Sequence, residues 1–216
     1  MRKLVRGEGP RCLSRYKHGV HKWSPQSPTA LEREQVWECL QAMQDTRCAY
    51  CEADIRTSRH IEHFRQRDRY PKGTFEWINL FGSCCREDAC GKFKDRCGAY
   101  EHAILVKPDV DNPDDYFIFV SDGTIVPRAN LDDRSRHRAV ETLRIFNLDA
   151  QNGALREMRR EAVRPYLNTA QALMDMMDMP EEYSENDIQD FLEEEVQKIA
   201  SLPFSTAIRH TLSIKH

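Results

Sequence analysis

Between positions 59 and 63 the chain reads Arg-His-Ile-Glu-His, and cysteine groups stand on either side of it: Cys48-x2-Cys51 before, Cys84-Cys85-x4-Cys90 after. Each of these residue types has a chemistry. A neutral imidazole takes a proton from water, and a carboxylate holds a hard divalent ion on a phosphate, so His60, Glu62 and His63 are the makings of a hydrolytic site. A Cys-x2-Cys pair presents two thiolates on a short knuckle, and a second pair further along completes a closed, tetrahedral, structural zinc site. That second pair is Cys90 with either Cys84 or Cys85. Two adjacent thiols do not easily bind one tetrahedral ion together, so one of them is spare. If the stretch is a strand, His60 and Glu62 share a face and converge on one ion, while His63 points to the other face. Arg56, Arg59, Arg65, Arg67 and Arg69 with Lys72 outnumber Glu62 and Asp68, a balance that suits phosphate gripping. The plainer reading makes them a solvated face, with Glu62 an ion-pair partner of Arg59 or Arg65.

The order of these motifs resembles the HNH endonucleases: Cys-x2-Cys, an acid–His pair, Asn-Leu, then Cys…Cys and a trailing Lys. The nearer likeness is to the PtuB family, the nucleases of Septu-type and retron-linked antiphage systems. It is carried by "CAYCE", "HIEHF", "WINL", "SCCREDACGKFKD" and "KPDVDNPDDYFIFVSDGTIVP", covers about residues 1–165, and leaves out the acidic tail. The resemblance implies an α+β fold, with a zinc-stapled ββα-metal (HNH, or His-Me finger) core, a small β extension and a C-terminal helical region. It implies that His63, at a strand end, is the general base and that Glu62 occupies the slot of a catalytic-metal ligand. Asn79 pins the loop that holds the histidine. Cys48, Cys51, Cys84 and Cys90 bind structural Zn2+, the family's "SC" favouring Cys84 over Cys85. A catalytic Mg2+ or Mn2+ is implied as well. Where many relatives place Asn or His after the last cysteine, this chain has Gly91, so Asp95 one turn on supplies the missing oxygen, or His60 does, or the ion has fewer protein ligands. The expected nucleic-acid contacts are Arg59, Arg65, Arg67, Arg69, Lys92 and Lys94. The implied partners are a PtuA-like ATPase and, in a retron system, a reverse transcriptase with its RNA–DNA product. The competing reading is a non-catalytic zinc adaptor that binds nucleic acid or protein.

The elements that must position these residues are legible in part. Ser27-Pro28 reads as a helix start, and the helix runs to about Met43 with Val36, Leu40 and Met43 inside. "HAILV" and "YFIFV" read as β-like, with Asp122-Gly123 turning a hairpin into "TIV". Helices are expected over about 133–146 and 153–177, the second kinked or split by Pro165. A further helix opens on the capping box Ser184…Asp187 and buries Ile188, Phe191, Leu192, Val196 and Ile199. "LMDMMDM" is core packing or a docking face. "DNPDDYF" is a turn without the spacing of a calcium loop. His18, His21, His102, His137, His210 and His216 read as surface or structural, and Cys12 and Cys97 as free thiols.

Composition bounds the rest. With 216 residues, 31% of them charged, and a mean hydropathy of -0.71, no apolar run suits a membrane span, and no apolar stretch follows the charged start, which places the chain in the cytoplasm. Eight cysteines there are metal ligands or buried thiols, not disulfides. The net charge of -3 conceals seven Lys/Arg against Glu8 in residues 1–23 and ten acids without a base in residues 171–195. The expected organisation is a basic arm (1–28), a nuclease domain with its preceding helix (29–128), and a helical region (129–216) whose acidic part docks a partner.

Overall fold

In the computed structural model, which describes residues 1–213, the chain is mixed α and β and divides into two compact units. The first comprises Met1–Pro113 and His137–Leu148; the second comprises Asp114–Arg136 and the chain from Asp149 onward. His216 lies outside the described residues.

In the first unit, α1 (Ala30–Gln44) starts later than Ser27-Pro28 suggests, because only Thr29 has an acid three residues on. Thr29 Oγ1 accepts from the Glu32 amide and Glu32 returns the bond to the Thr29 amide, a reciprocal cap. Val36, Leu40 and Met43 are buried as their spacing requires. Strands β1 (Arg59–His63) and β2 (Leu80–Cys84) pair antiparallel, with Arg59 opposite Cys84 and His63 opposite Leu80. A short helix, α2 (Cys90–Arg96), follows and packs on β2. The edge of β2 at Gly82 is closed by a side chain: the Gln44 amide donates to the Gly82 carbonyl at 2.8 Å and accepts its N–H at 2.9 Å. Tyr50, Phe64, Phe81 and Phe146 form the aromatic core, the Tyr50 and Phe146 rings stacked at 4.2 Å.

Two expectations fail in this unit. "HAILV" is no strand: His102–Ile104 is a 3-10 turn, and the buried Val106 amide goes to the Thr142 hydroxyl at 2.8 Å, not to a neighbouring strand. Nor is the basic N-terminal segment a free arm. Met1 and Leu4 are buried, Arg2 pairs with Asp45, and Lys3 donates to the Val110 carbonyl. Arg6 pairs with Asp109 at 2.5 Å, donates to the Trp77 and Leu80 carbonyls, and lies over the Trp77 and Phe81 rings. Apolar anchors and carbonyl acceptors fold this stretch back onto the unit.

In the second unit, β3 (Phe117–Phe119) and β4 (Ile125–Pro127) form the hairpin, so it belongs with the helical residues instead of extending a 29–128 domain. Gly123 sits at φ +90°, where a Cβ would also strike the Arg156 carbonyl, so the turn requires glycine. Helix α3 (Asp133–Phe146) matches its expected range and contributes its residues from His137 on to the first unit. Pro165 splits the next helix into α4 (Ala154–Val163) and α5 (Leu167–Met177) around a 3-10 turn. Helix α6 (Glu185–Ile199) opens on the Ser184–Asp187 capping box, but only Ile199 of its apolar residues is fully buried. The last helix, α7 (Ser205–Leu212), has no counterpart in the expectations. It holds the buried His210, which accepts from the Phe119 amide and faces Asp114 at 3.1 Å. Among the described residues, no helix is long and apolar enough to cross a membrane.

Candidate active site

The four cysteines meet. Their sulfurs lie within 4.8 Å of one another and all four residues are buried. The Cys51–Cys84 separation of 3.9 Å is close to the edge of a sulfur tetrahedron around zinc, about 3.8 Å for Zn–S bonds of about 2.3 Å. The first knuckle is a tight loop closed by the Cys48 amide on the Ala53 carbonyl and the Glu52 amide on the Cys48 carbonyl. Glu52 and Cys90 both take left-handed backbone, φ 66° and 57°, which turns each cysteine group toward the centre. Burial alone would raise Cys48, but hydrogen bonds from Cys51, Cys84 and Cys90 carry it well below the ordinary thiol. Burial pushes Cys90 up. Such a set fits a zinc ion, which replaces the protons that four crowded thiols otherwise share. Cys85 is the spare thiol: it is half-buried, with Sγ 3.8 Å from His60 Nδ1.

The zinc-type cluster positions the rest. Strand β1 runs antiparallel to the strand that ends at Cys84, and α2 begins at Cys90, so one staple fixes both elements. Beside it is a cleft of about 160 Å³ lined by Trp23, His60, Ile61, Glu62, His63, Arg67, Lys92 and Asp95. His60 and Glu62 are on one strand face, as alternation requires, with Nε2 to Oε2 at 3.2 Å. His63, the last residue of β1, reaches the same cleft at the strand end. Its Nε2 lies 3.0 Å from the Thr74 carbonyl. A carbonyl only accepts, so Nε2 carries the proton and Nδ1 keeps its lone pair. Trp23 packs edge-on against the ring at 4.7 Å. Burial lowers His63 from 6.5 to about 4, outweighing the Thr74 hydrogen bond and Glu62, so the ring is neutral near pH 7.

Asn79 ties this strand end down. Its Oδ1 accepts from the Arg65 amide at 2.8 Å, and its Nδ2 donates to the carbonyls of Gly73 and Arg65. The loop carrying Thr74 is thereby fixed against the residues that follow His63.

The basic residues divide. Arg67 is exposed and Lys92 half-buried, and both line the cleft; Arg69 is exposed on an adjoining hollow with Arg67. Arg59 lies over the Trp37 ring and Arg65 over Tyr70, each half-buried. Lys94 departs from the expectation. It is fully buried, its Nζ bonded to the His63 carbonyl at 3.0 Å and to Asp95 Oδ1 at 2.6 Å and ion-paired with Glu62 Oε1 at 2.7 Å. With no exposed surface it cannot grip a nucleic-acid backbone. Glu62 accordingly pairs with Lys94 and His60, and with neither Arg59 nor Arg65.

Buried carboxylates ordinarily rise, but Lys94 and then His60 pull Glu62 below its usual value. Burial likewise opposes the charge on Lys94, and Glu62 more than compensates. Asp95 is raised by burial and by Glu62. These oxygens do not fit a divalent ion. One oxygen of each carboxylate already faces the Lys94 ammonium, which offsets their charge and would repel a divalent ion placed between them. Among the described residues, the only set of three or more ligands close enough for a metal is the cysteine cluster. Gly91 has a steric role here. A Cβ on it would sit 2.3 Å from Glu62 Oε2, so the absent side chain leaves room for the carboxylate itself.

Sequence reasoning missed Trp23 and Thr74. Thr74 acts through its backbone carbonyl, which no residue type announces, and Trp23 is forty positions from the histidine it touches. Fold and site together define an α+β protein with a buried four-cysteine cluster able to hold zinc beside a polar cleft. No protein-family model matches the chain, and no curated protein matches it.

Proposed function

We propose that the chain is an HNH-type endonuclease that hydrolyses phosphodiester bonds of nucleic acid. The observation that carries this is the state of His63: buried, neutral, its Nε2–H spent on the Thr74 carbonyl and Nδ1 left to accept, in a cleft shared with Arg67 and Lys92. In hydrolysis, Nδ1 takes a proton from the attacking water, the hydroxide oxygen bonds to phosphorus, and the phosphorus–oxygen bond to the leaving sugar breaks. The leaving oxygen then takes a proton from solvent. Arg67 and Lys92 hold the phosphate oxygens. The zinc-stapled core keeps β1 and α2 in register around the base.

The resemblance supplies the wider setting: a toxic effector of a Septu- or retron-type antiphage system, restrained by a PtuA-like ATPase and, in a retron, by a reverse transcriptase with its RNA–DNA product. In the second unit, Met174 and Met177 are exposed, and Met177, Ile188, Leu192 and Leu212 line a hollow of about 510 Å³ beside the acids of α6, which supports docking of a protein there. Charge reversal at Glu193–Glu195 is expected to abolish complex formation; an intact complex would remove α6 from the interface.

His63→Ala is the direct test. Loss of a general base is expected to lower cleavage of plasmid DNA or total tRNA by about 10²- to 10⁴-fold with zinc content unchanged. Undiminished cleavage by folded, zinc-loaded variant refutes the assignment. The adaptor reading lacks a specific observation in its favour.

A further inference from the structure

We infer that Lys94 is the resident cation of this cleft, standing where a divalent ion would otherwise neutralise the carboxylates, so that phosphodiester hydrolysis proceeds without bound Mg2+ or Mn2+. The inference rests on the phosphodiesterase reading above and concerns how that site balances its charge.

Glu62 and Asp95 line the cleft, and two carboxylates there would repel an incoming phosphate. Lys94 answers both at once, 2.7 Å from Glu62 Oε1 and 2.6 Å from Asp95 Oδ1. Its remaining N–H donates to the His63 carbonyl at 3.0 Å, so the same ammonium also holds the base's own peptide. The ammonium hydrogen-bonds the His63 carbonyl and Asp95 Oδ1 and lies against Glu62 Oε1 as an ion pair. Each carboxylate gives one oxygen to Lys94, and the other oxygen of Glu62 faces His60 Nε2 at 3.2 Å.

The neighbouring backbone is built for the arrangement. Lys94 stands one helical turn after Cys90, so the cysteine cluster that anchors α2 also sets the lysine's position. Gly91 opens the space into which Glu62 swings; any side chain at 91 collides with that carboxylate. Glycine at 91 and a fully buried lysine four residues from the cluster together place a side-chain cation against the carboxylates. Lys94 touches no substrate and acts by positioning His63 and neutralising Glu62 and Asp95. Arg67 and Lys92 are left to meet the phosphate. The proton balance is unchanged: water to His63 Nδ1, solvent to the leaving oxygen.

Two measurements on the full-length, zinc-loaded protein test this. Mn2+ titration followed by the electron paramagnetic resonance of free Mn2+ is expected to show no submillimolar site in the wild type, and a new one in Lys94→Gln, where Glu62 and Asp95 lose their cation. Hydrolysis of bis(4-nitrophenyl) phosphate is expected to be unchanged by added Mn2+ in the wild type. It should fall about tenfold or more in Lys94→Gln and recover when Mn2+ is added to that variant, with Lys94→Arg intermediate. Submillimolar Mn2+ binding by the wild type outside the cysteine cluster overturns the inference, whatever the hydrolysis shows, and needs no variant to fold. So does wild-type turnover that depends on Mn2+. Absence of hydrolysis under every condition counts instead against the phosphodiesterase reading, with the Mn2+ titration still deciding the role of Lys94.

Discussion

His63 and Lys94 are both buried ionisable groups on the same short strand–helix unit, and burial acts on them in opposite ways. The histidine has no partner that rewards its charged form enough to offset desolvation, so it is held neutral; the lysine has Glu62 and stays charged. This has a measurable consequence for pH. With the base at about 4 in place of 6.5, kcat/KM for hydrolysis is expected to rise with pH along an acid limb centred near 4 and to be flat from about pH 5 upward as far as this group is concerned. A limb near 6.5 would place the proton acceptor elsewhere. Stability follows the same sign. The unfolded histidine binds its proton below 6.5 and the folded one only below about 4, so unfolding free energy rises with pH across that window. His63→Gln should flatten that slope in urea titrations.

At the scale of elements, the two cysteine groups add to what hydrophobic burial does: they tie together a two-stranded sheet and a seven-residue helix, pieces too small to be stable alone. Structural zinc contributes on the order of 10 kcal/mol or more to folding in small sites. Cys84→Ser is therefore expected to lose bound zinc and to lower the melting temperature sharply, while Cys85→Ser, outside the cluster, keeps one equivalent of zinc by elemental analysis. Equal zinc loss in both would mean that the spare thiol is wrongly assigned. The elements themselves were legible where a local rule decides them. The Ser184 capping box, the Pro165 split and the Asp122-Gly123 turn each depend on residues within a few positions. "HAILV" was not legible, because β-propensity says nothing of whether a partner strand exists, and here a threonine hydroxyl takes the amide. Helix α7 was missed because its burial comes from partners distant in sequence, among them Phe119 and Asp114, and not from a periodic stripe.

Across the whole molecule, the charge asymmetry of the sequence changes meaning once the chain is folded. Of the basic residues at the front, Arg2, Lys3, Arg6 and Arg15 are engaged by Asp45, the Val110 carbonyl, Asp109 and Glu32. What is left for phosphate is a smaller set around the cleft, Arg67 and Lys92 foremost, with Lys22 beside Arg67 in the adjoining hollow. On single strands each phosphate contact contributes about 0.7 to the slope of log K against log salt, so Arg67→Ala with Lys92→Ala is expected to reduce it by about 1.4. Fluorescence anisotropy with a labelled single-stranded oligonucleotide measures it. An unchanged slope would move the binding face away from the cleft.

The sequence by itself determined what depends on residue type and short spacing: the cysteine pairs able to hold a metal, the His60–Glu62 face of a strand, the helix caps and the proline break. The spacing left Cys84 and Cys85 open and the resemblance favoured Cys84; the fold brings Cys84 into the cluster and sets Cys85 against His60. It also decided that Lys94 is an internal cation and not a surface one, and that Gly91 is space for Glu62. The reason is physical. A lysine four residues from a cysteine reads the same whether its helix face meets water or a carboxylate, and only the packing of α2 against β2 buries it beside one.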